Sequence, residues 1–95
     1  MPSYRVTLSI GELNPGIAPD ELLPAVAAAA AERAVVEASE VRVVSYTAQL
    51  VIRFTAEDAD RAIEVATHTA ARARTLAEVP RSIITRREKG RWLPL

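Results

Sequence analysis

Two segments in which large apolar side chains recur at alternate positions constrain the fold of this chain most. In Tyr4–Ile10 these residues are Tyr4, Val6, Leu8 and Ile10, and in Ala48–Thr55 they are Leu50, Ile52 and Phe54. Successive side chains of a strand point to opposite faces, so this period predicts two half-buried strands. One face of each strand belongs to the core, and the second face carries Arg5, Thr7 and Ser9 on the first strand and Gln49, Val51, Arg53 and Thr55 on the other.

The rest of the chain completes two strand–helix–strand units. Helices are predicted over Asp20–Val36, with an irregular entry before Pro24, and from the capping pattern Thr55-x-x-Asp58 to Val79-Pro80. Val41–Tyr46 and Ser82–Arg87 have the composition of the second and fourth strands. Two such units are typical of the ferredoxin-like α/β plait (βαββαβ), a four-stranded antiparallel sheet with both helices on one face. We expect a single domain over residues 1–95, with 88–95 as a possible C-terminal extension.

Composition excludes several classes of function. The absence of cysteine excludes disulfides and thiolate chemistry. The longest apolar run, Ala25–Ala31, is far shorter than the ~20 residues that span a bilayer, and the first residues lack the pattern of a secretion signal. A cytoplasmic protein with no membrane partner is therefore expected. Eleven arginines against one lysine, with abundant alanine, indicate a high-GC bacterial source.

Charge is balanced overall but unevenly placed along the chain. The formal net charge is zero, which argues against a general polyanion binder. Residues 65–95 nevertheless hold seven bases and two acids, whereas residues 1–64 hold ten acids and five bases. This asymmetry has two interpretations. Opposite charges attract within or between subunits, or the C-terminal third meets an anionic partner.

Titratable side chains show no catalytic or metal-binding pattern. His68, the only histidine, falls opposite the predicted core stripe of the second helix and is expected on the surface. Glu57, Asp58, Asp60 and Glu64 surround a helix start, where carboxylates cap free N–H groups. No cofactor and no metal ion are therefore expected.

The second sheet face is the predicted contact surface. RNA binders of this architecture stack bases on aromatic residues of the central strands, but Tyr4 and Phe54 belong to the core register. We expect a ligand- or partner-facing sheet and, separately, a basic and apolar tail that docks on its own domain or a neighbour. The sheet set is Arg5, Thr7, Ser9, Arg42, Gln49, Arg53 and Arg86, and the tail set is Arg87, Lys89, Arg91 and Trp92.

A small core leads to the functional expectation. Alanine-rich helices bury little apolar area, and small domains often gain stability by self-association. We expect a non-catalytic, homo-oligomerising interaction or accessory module, whose partners are copies of itself and an unidentified protein. One alternative is a dimeric enzyme or binding protein for a small anion on the sheet face. The other alternative is nucleic-acid binding through the C-terminal third, although nucleic acid is not the partner we expect.

Overall fold

The computed structural model describes residues 1–95 as an α+β fold with two helices and a five-stranded antiparallel sheet. The sheet order is β2-β3-β1-β4-β5. One strand more than predicted is present because part of the expected extension 88–95 pairs with β4 as an edge strand. The elements are β1 (Ser3–Ile10), α1 (Pro19–Ala31), β2 (Val36–Val44), β3 (Thr47–Thr55), α2 (Ala59–Arg74), β4 (Arg81–Glu88) and β5 (Arg91–Pro94).

Both helices pack on one side of the sheet, and the core lies between the helix layer and the sheet. The predicted inward register of β1 and β3 is confirmed, because Val6, Leu8 and Ile52 are buried. From the helices, mainly small residues reach the core, so most of its bulk comes from the strands. The helix contribution is Leu22, Val26, Ala30, Ala62, Val65, Ala66, Ala70 and Ala73. Neither helix is long and apolar enough to cross a membrane.

Helix α1 is shorter at its C-terminus than the sequence predicts. It ends at Ala31, and β2 begins at Val36, five residues before the predicted start of that strand. The β-branched pair Val35-Val36 favours extended backbone over a further helical turn. The predicted irregular entry is also wrong, since the α-helix is continuous from Pro19 through Pro24. Pro24 lies near the helix start on the exposed side, where water can satisfy the carbonyl group that proline leaves without a donor.

Helix α2 begins one residue after Asp58, whose side chain accepts a hydrogen bond from the Arg61 N–H at 2.9 Å. Asp58 therefore caps the helix, and the predicted threonine cap at Thr55 is wrong because Thr55 still belongs to β3. The sequence predicts a core stripe of Ala59, Ala62, Ile63, Ala66, Ala70, Ala73 and Ala77 on a helix that continues to Val79-Pro80. The helix ends earlier, at Arg74. Five of the six alanines are buried, whereas Ala59 is half-buried and Ile63 is 45% exposed. Val65 and Thr69 take the buried positions instead.

Two glycine turns position the loops. The predicted turn at Pro15-Gly16 is observed, with φ of 86° at Gly16 and a hydrogen bond from the Ile17 N–H to the Asn14 carbonyl group. Gly90, at φ of 78°, reverses the chain between β4 and β5. Positive φ is readily adopted only by glycine, so Gly90 fixes where the chain returns to form the fifth strand.

Candidate functional site

The sheet surface opposite the helices, here named the outer face, is built from alternate residues of all five strands. Cross-strand partners share a face, and Arg5 of β1 lies between Arg53 of β3 and Thr85 of β4. The same pairing assigns to this face Ser3, Thr7 and Ser9 of β1, Ala38, Glu40, Arg42 and Val44 of β2, Thr47, Gln49, Val51 and Thr55 of β3, Arg81, Ile83 and Arg87 of β4, and Trp92 and Pro94 of β5.

Trp92 lies among three arginine side chains on the outer face, and these four residues form the arginine–tryptophan cluster. The Cζ atom of Arg5 is 4.1 Å from the centroid of the indole ring. The corresponding distances are 5.5 Å for Arg53 and 5.9 Å for Arg87. The indole of β5 reaches Arg5 on β1 across β4, where the small side chain of Thr85 stands opposite Arg5. A guanidinium group at such distances is attracted by the negative face of the ring.

Positive charge is concentrated around Arg5. Burial lowers the pKa of the Arg5 guanidinium group below its ordinary value. Repulsion by Arg42, Arg53 and Arg87 lowers this pKa further, whereas attraction by Glu40 acts in the opposite direction. Arginine nevertheless stays charged at neutral pH. An anion placed beside the cluster would relieve this repulsion.

Only some of the outer-face arginines are neutralised by acids. Glu37 pairs with Arg53 at 3.2 Å, and Glu40 pairs with Arg42 at 2.8 Å. The side chains of Arg5, Arg81 and Arg87 have no acidic partner within 4 Å. Glu37 lies at the irregularity of β2, and its side chain contacts the outer-face residues Arg53 and Ser3. Counting Glu37, the outer face thus has five arginines and two glutamates, an excess of three positive charges. Since the whole chain is neutral, the remaining surface has an equal excess of negative charge.

A shallow depression of about 160 Å³ lies beside the cluster. Its floor includes Val51, which is buried although it lies on the outer face. Arg5 and Arg53 also line this depression. Arginine stems commonly cover apolar surface while the charged heads remain in water. The outer face therefore combines apolar contact area with guanidinium donors.

Six of the seven residues predicted for the sheet set lie together on the outer face, and Arg86 does not. Arg86 is opposite Tyr4 in the register, which places it on the helix side, with its Cζ atom 5.8 Å from the Tyr4 ring. The prediction that Arg86 shares the sheet face of Arg5 and Arg53 is therefore wrong. The pairing of β4 with β1 puts Arg87 on the outer face instead.

The four residues of the predicted tail separate in the structure. Arg87 and Trp92 belong to the arginine–tryptophan cluster. Lys89 lies in the turn, and Arg91 is opposite Glu88 on the helix-side register. The aromatic residue that sequence reasoning found missing from the second face is thus supplied by β5. The sequence signal for this fifth strand was Gly90, because a glycine turn there allows the chain to return alongside β4 and places Trp92 in the sheet.

His68 and the acidic residues of α2 lie on the opposite side of the sheet. The Nε2 atom of His68 is 2.8 Å from a carboxylate oxygen of Glu32, the residue that caps the C-terminus of α1. This contact links α2 to the end of α1. Glu64 accepts a hydrogen bond from Arg61 at 2.8 Å. These side chains make contacts within α2 and between the two helices, and they do not approach the arginine–tryptophan cluster.

No family model, curated protein or solved structure matches the chain. The chemistry of the outer face is therefore interpreted from its own residues.

Proposed function

We propose that the chain is a ferredoxin-like plait extended by one strand, and that it is a non-catalytic interaction module that binds an acidic segment of a partner protein on its outer face. The observation that carries the proposal is the pair of guanidinium groups, Arg5 and Arg87, that contact Trp92 and have no acidic partner. Arginine forks bind carboxylates through paired hydrogen bonds. Tryptophan and arginine are also the residues most enriched at the energetic centres of protein interfaces.

Charge favours an acidic protein segment over a polyanion. The excess of positive charge on the outer face is modest, and the rest of the surface has an equal excess of negative charge, so we do not expect a general attraction for nucleic acid. Trp92 is the one feature that favours single-stranded nucleic acid. The Arg5 guanidinium group already stacks on its ring, which limits the area available to a base.

Geometry disfavours an enzyme for a small anion within one protomer. The depression beside Arg5 and Arg53 has a volume of about 160 Å³, which is too small to enclose a cofactor or a drug-sized organic substrate, whose pockets are usually about 300–1,000 Å³. The sole histidine lies on the helix side, away from this depression. The two outer-face glutamates are already paired with arginines, so neither stands free beside the depression to act as a general base.

Titration with a short glutamate-rich peptide tests the proposed function. We expect binding that weakens as salt is added, because the attraction is between exposed charges. Arg87→Gln is expected to weaken binding by roughly tenfold, the loss of one charged interface contact. Isothermal titration calorimetry measures both effects. A single-stranded oligonucleotide of matched charge is titrated in parallel.

Arg33→Gln is the matched control, because Arg33 is exposed, lies outside the outer face and forms no side-chain ion pair. Its peptide affinity should equal that of the natural chain. Equal losses in the two variants would contradict a site on the outer face. Binding of the oligonucleotide without the peptide would replace the proposal with nucleic-acid binding.

A further inference from the structure

The two edges of the sheet differ in how well they are protected against pairing with another strand. β5 has four residues and ends at Pro94, which has no N–H group to donate. β2 has nine residues and pairs only with β3, so its other edge presents free backbone donors and acceptors. Its one irregularity is at Val36/Ala38, which leaves Ala38–Val44 as a regular free edge. Such an edge is a template for adding a strand.

Apolar side chains accompany this free edge on the helix side. Val41 and Val43 are opposite Leu50 and Ala48, so they point toward the same side as the core. They are nevertheless 54% and 73% exposed, because the helices leave this end of β2 uncovered. A strand added along β2 would bring further side chains against both valines.

We propose that two copies of the chain pair through their β2 edges, antiparallel and about a two-fold axis at Val41. The sheet would continue from one copy to the other, and Val41 would face its equivalent. None of the four residues of the arginine–tryptophan cluster lies on β2, so the inference does not rest on the proposed function. Because the axis is perpendicular to the sheet, the outer faces of both copies would point the same way and present two clusters to one partner.

Charge selects this register. Residues opposite each other on paired strands must point to the same face of the sheet. An axis midway between two adjacent residues would pair residues that point to opposite faces, so the two-fold axis must pass through a residue position. An axis at Glu40 would place two glutamates opposite each other, and one at Arg42 would oppose two arginines. An axis at Val41 places Glu40 opposite Arg42 of the second copy, twice. Opposite charges at such positions stabilise the pairing of two strands, and like charges destabilise it.

Neighbouring registers lose strand overlap. If the axis were at Val43, Glu40 would be opposite Tyr46 of the second copy. Tyr46 lies beyond the end of β2, in a turn where Ser45 and Tyr46 have positive φ. An axis at Ser39 would reach the irregularity at Val36/Ala38. Only the register at Val41 uses the regular stretch Ala38–Val44 in full, since Ala38 then pairs with Val44 of the second copy.

Charge-reversal variants test the register through exchange between subunits. We expect a dimer of the natural chain at high micromolar concentration by sedimentation equilibrium. Glu40→Arg and Arg42→Glu should each weaken it by roughly tenfold, because both cross-copy ion pairs become repulsive. An equimolar mixture of the two variants should restore the dimer as a heterodimer. Mixing cannot restore the ion pair between Glu40 and Arg42 within one chain, so recovery must come from contact between copies.

A cysteine pair provides a second measurement. The natural chain has no cysteine, so Val41→Cys introduces a single thiol. At the axis the two Cα atoms would be about 4.5–5.5 Å apart, within the range for a disulfide. In the control Val43→Cys the thiols would be about 13 Å apart along the strand. Mild oxidation should cross-link only the first variant. A monomeric natural chain, a mixture that stays monomeric, or equal cross-linking of both variants would overturn the proposal.

Discussion

Replacing Trp92 by alanine is expected to weaken binding of an acidic peptide by roughly thirtyfold or more, the scale of an interface hot spot. The indole holds Arg5, Arg53 and Arg87 together against their mutual repulsion. Without it the guanidinium groups spread into solvent, and the peptide must reorder them on binding. Calorimetric titration at low salt measures the loss. Because Trp92 is the only tryptophan, its replacement removes the tryptophan fluorescence that would otherwise report on folding. Circular dichroism is therefore used to confirm that the variant remains folded.

Two controls separate the cluster from general effects on β5. Trp92→Phe keeps an aromatic face for the guanidinium groups and should lose less affinity than Trp92→Ala. Leu93→Ala alters the neighbouring residue, which is opposite Arg86 on the helix-side register. Its peptide affinity should be unchanged. If Trp92→Ala bound the peptide as tightly as the natural chain, the cluster would have no part in recognition.

Replacing Phe54 by alanine is expected to lower the free energy of unfolding by about 3–5 kcal/mol. Typical domains have about 5–15 kcal/mol in total, and this small core is at the lower end, so the variant should be largely unfolded at physiological temperature. Phe54 is fully buried and stacks on Tyr4 with ring centroids 6.0 Å apart. The alanine-rich helices have few long side chains with which to fill the cavity. Thermal or urea denaturation followed by circular dichroism measures the change.

Tyr4→Phe is the matched control for this prediction. It keeps the stacked ring and removes a buried hydroxyl group that has no hydrogen-bond partner among the protein atoms. A buried polar group without a partner costs stability, so this variant should unfold at an equal or higher midpoint than the natural chain. A midpoint for Phe54→Ala close to that of the natural chain would contradict the account of the core.

The central strands could be predicted because large apolar residues recur at alternate positions along most of β1 and β3. Val51 interrupts the alternation, but the large residues on either side of it still give the inward and outward sets. β4 lacks this property, since Ile83 and Ile84 are adjacent and either can face the core. Pairing with β1 decides, and it places Arg87 rather than Arg86 on the outer face. The register of β4 is thus a tertiary effect that local pattern does not contain.

The arginine–tryptophan cluster could not be predicted for the same reason. Its members come from four strands, and Trp92 lies in a four-residue strand that ends at Pro94 and is too short for a periodic signal. The strand forms because the turn at Lys89-Gly90, both with positive φ, returns the chain alongside β4. Sequence reasoning placed Arg5 and Arg53 on the correct face but assigned Arg87 and Trp92 to a separate tail.

Chemical-shift mapping by nuclear magnetic resonance can locate the surface that binds the acidic peptide. The ¹⁵N-labelled chain is titrated with the glutamate-rich peptide while the Trp92 indole N–H and the arginine Nε–H signals are followed. We expect the largest shifts at Trp92, Arg5 and Arg87, with little change at Arg33 on the other side of the sheet. Shifts confined to the helix side, or no shift at the indole N–H while the peptide binds, would contradict this expectation.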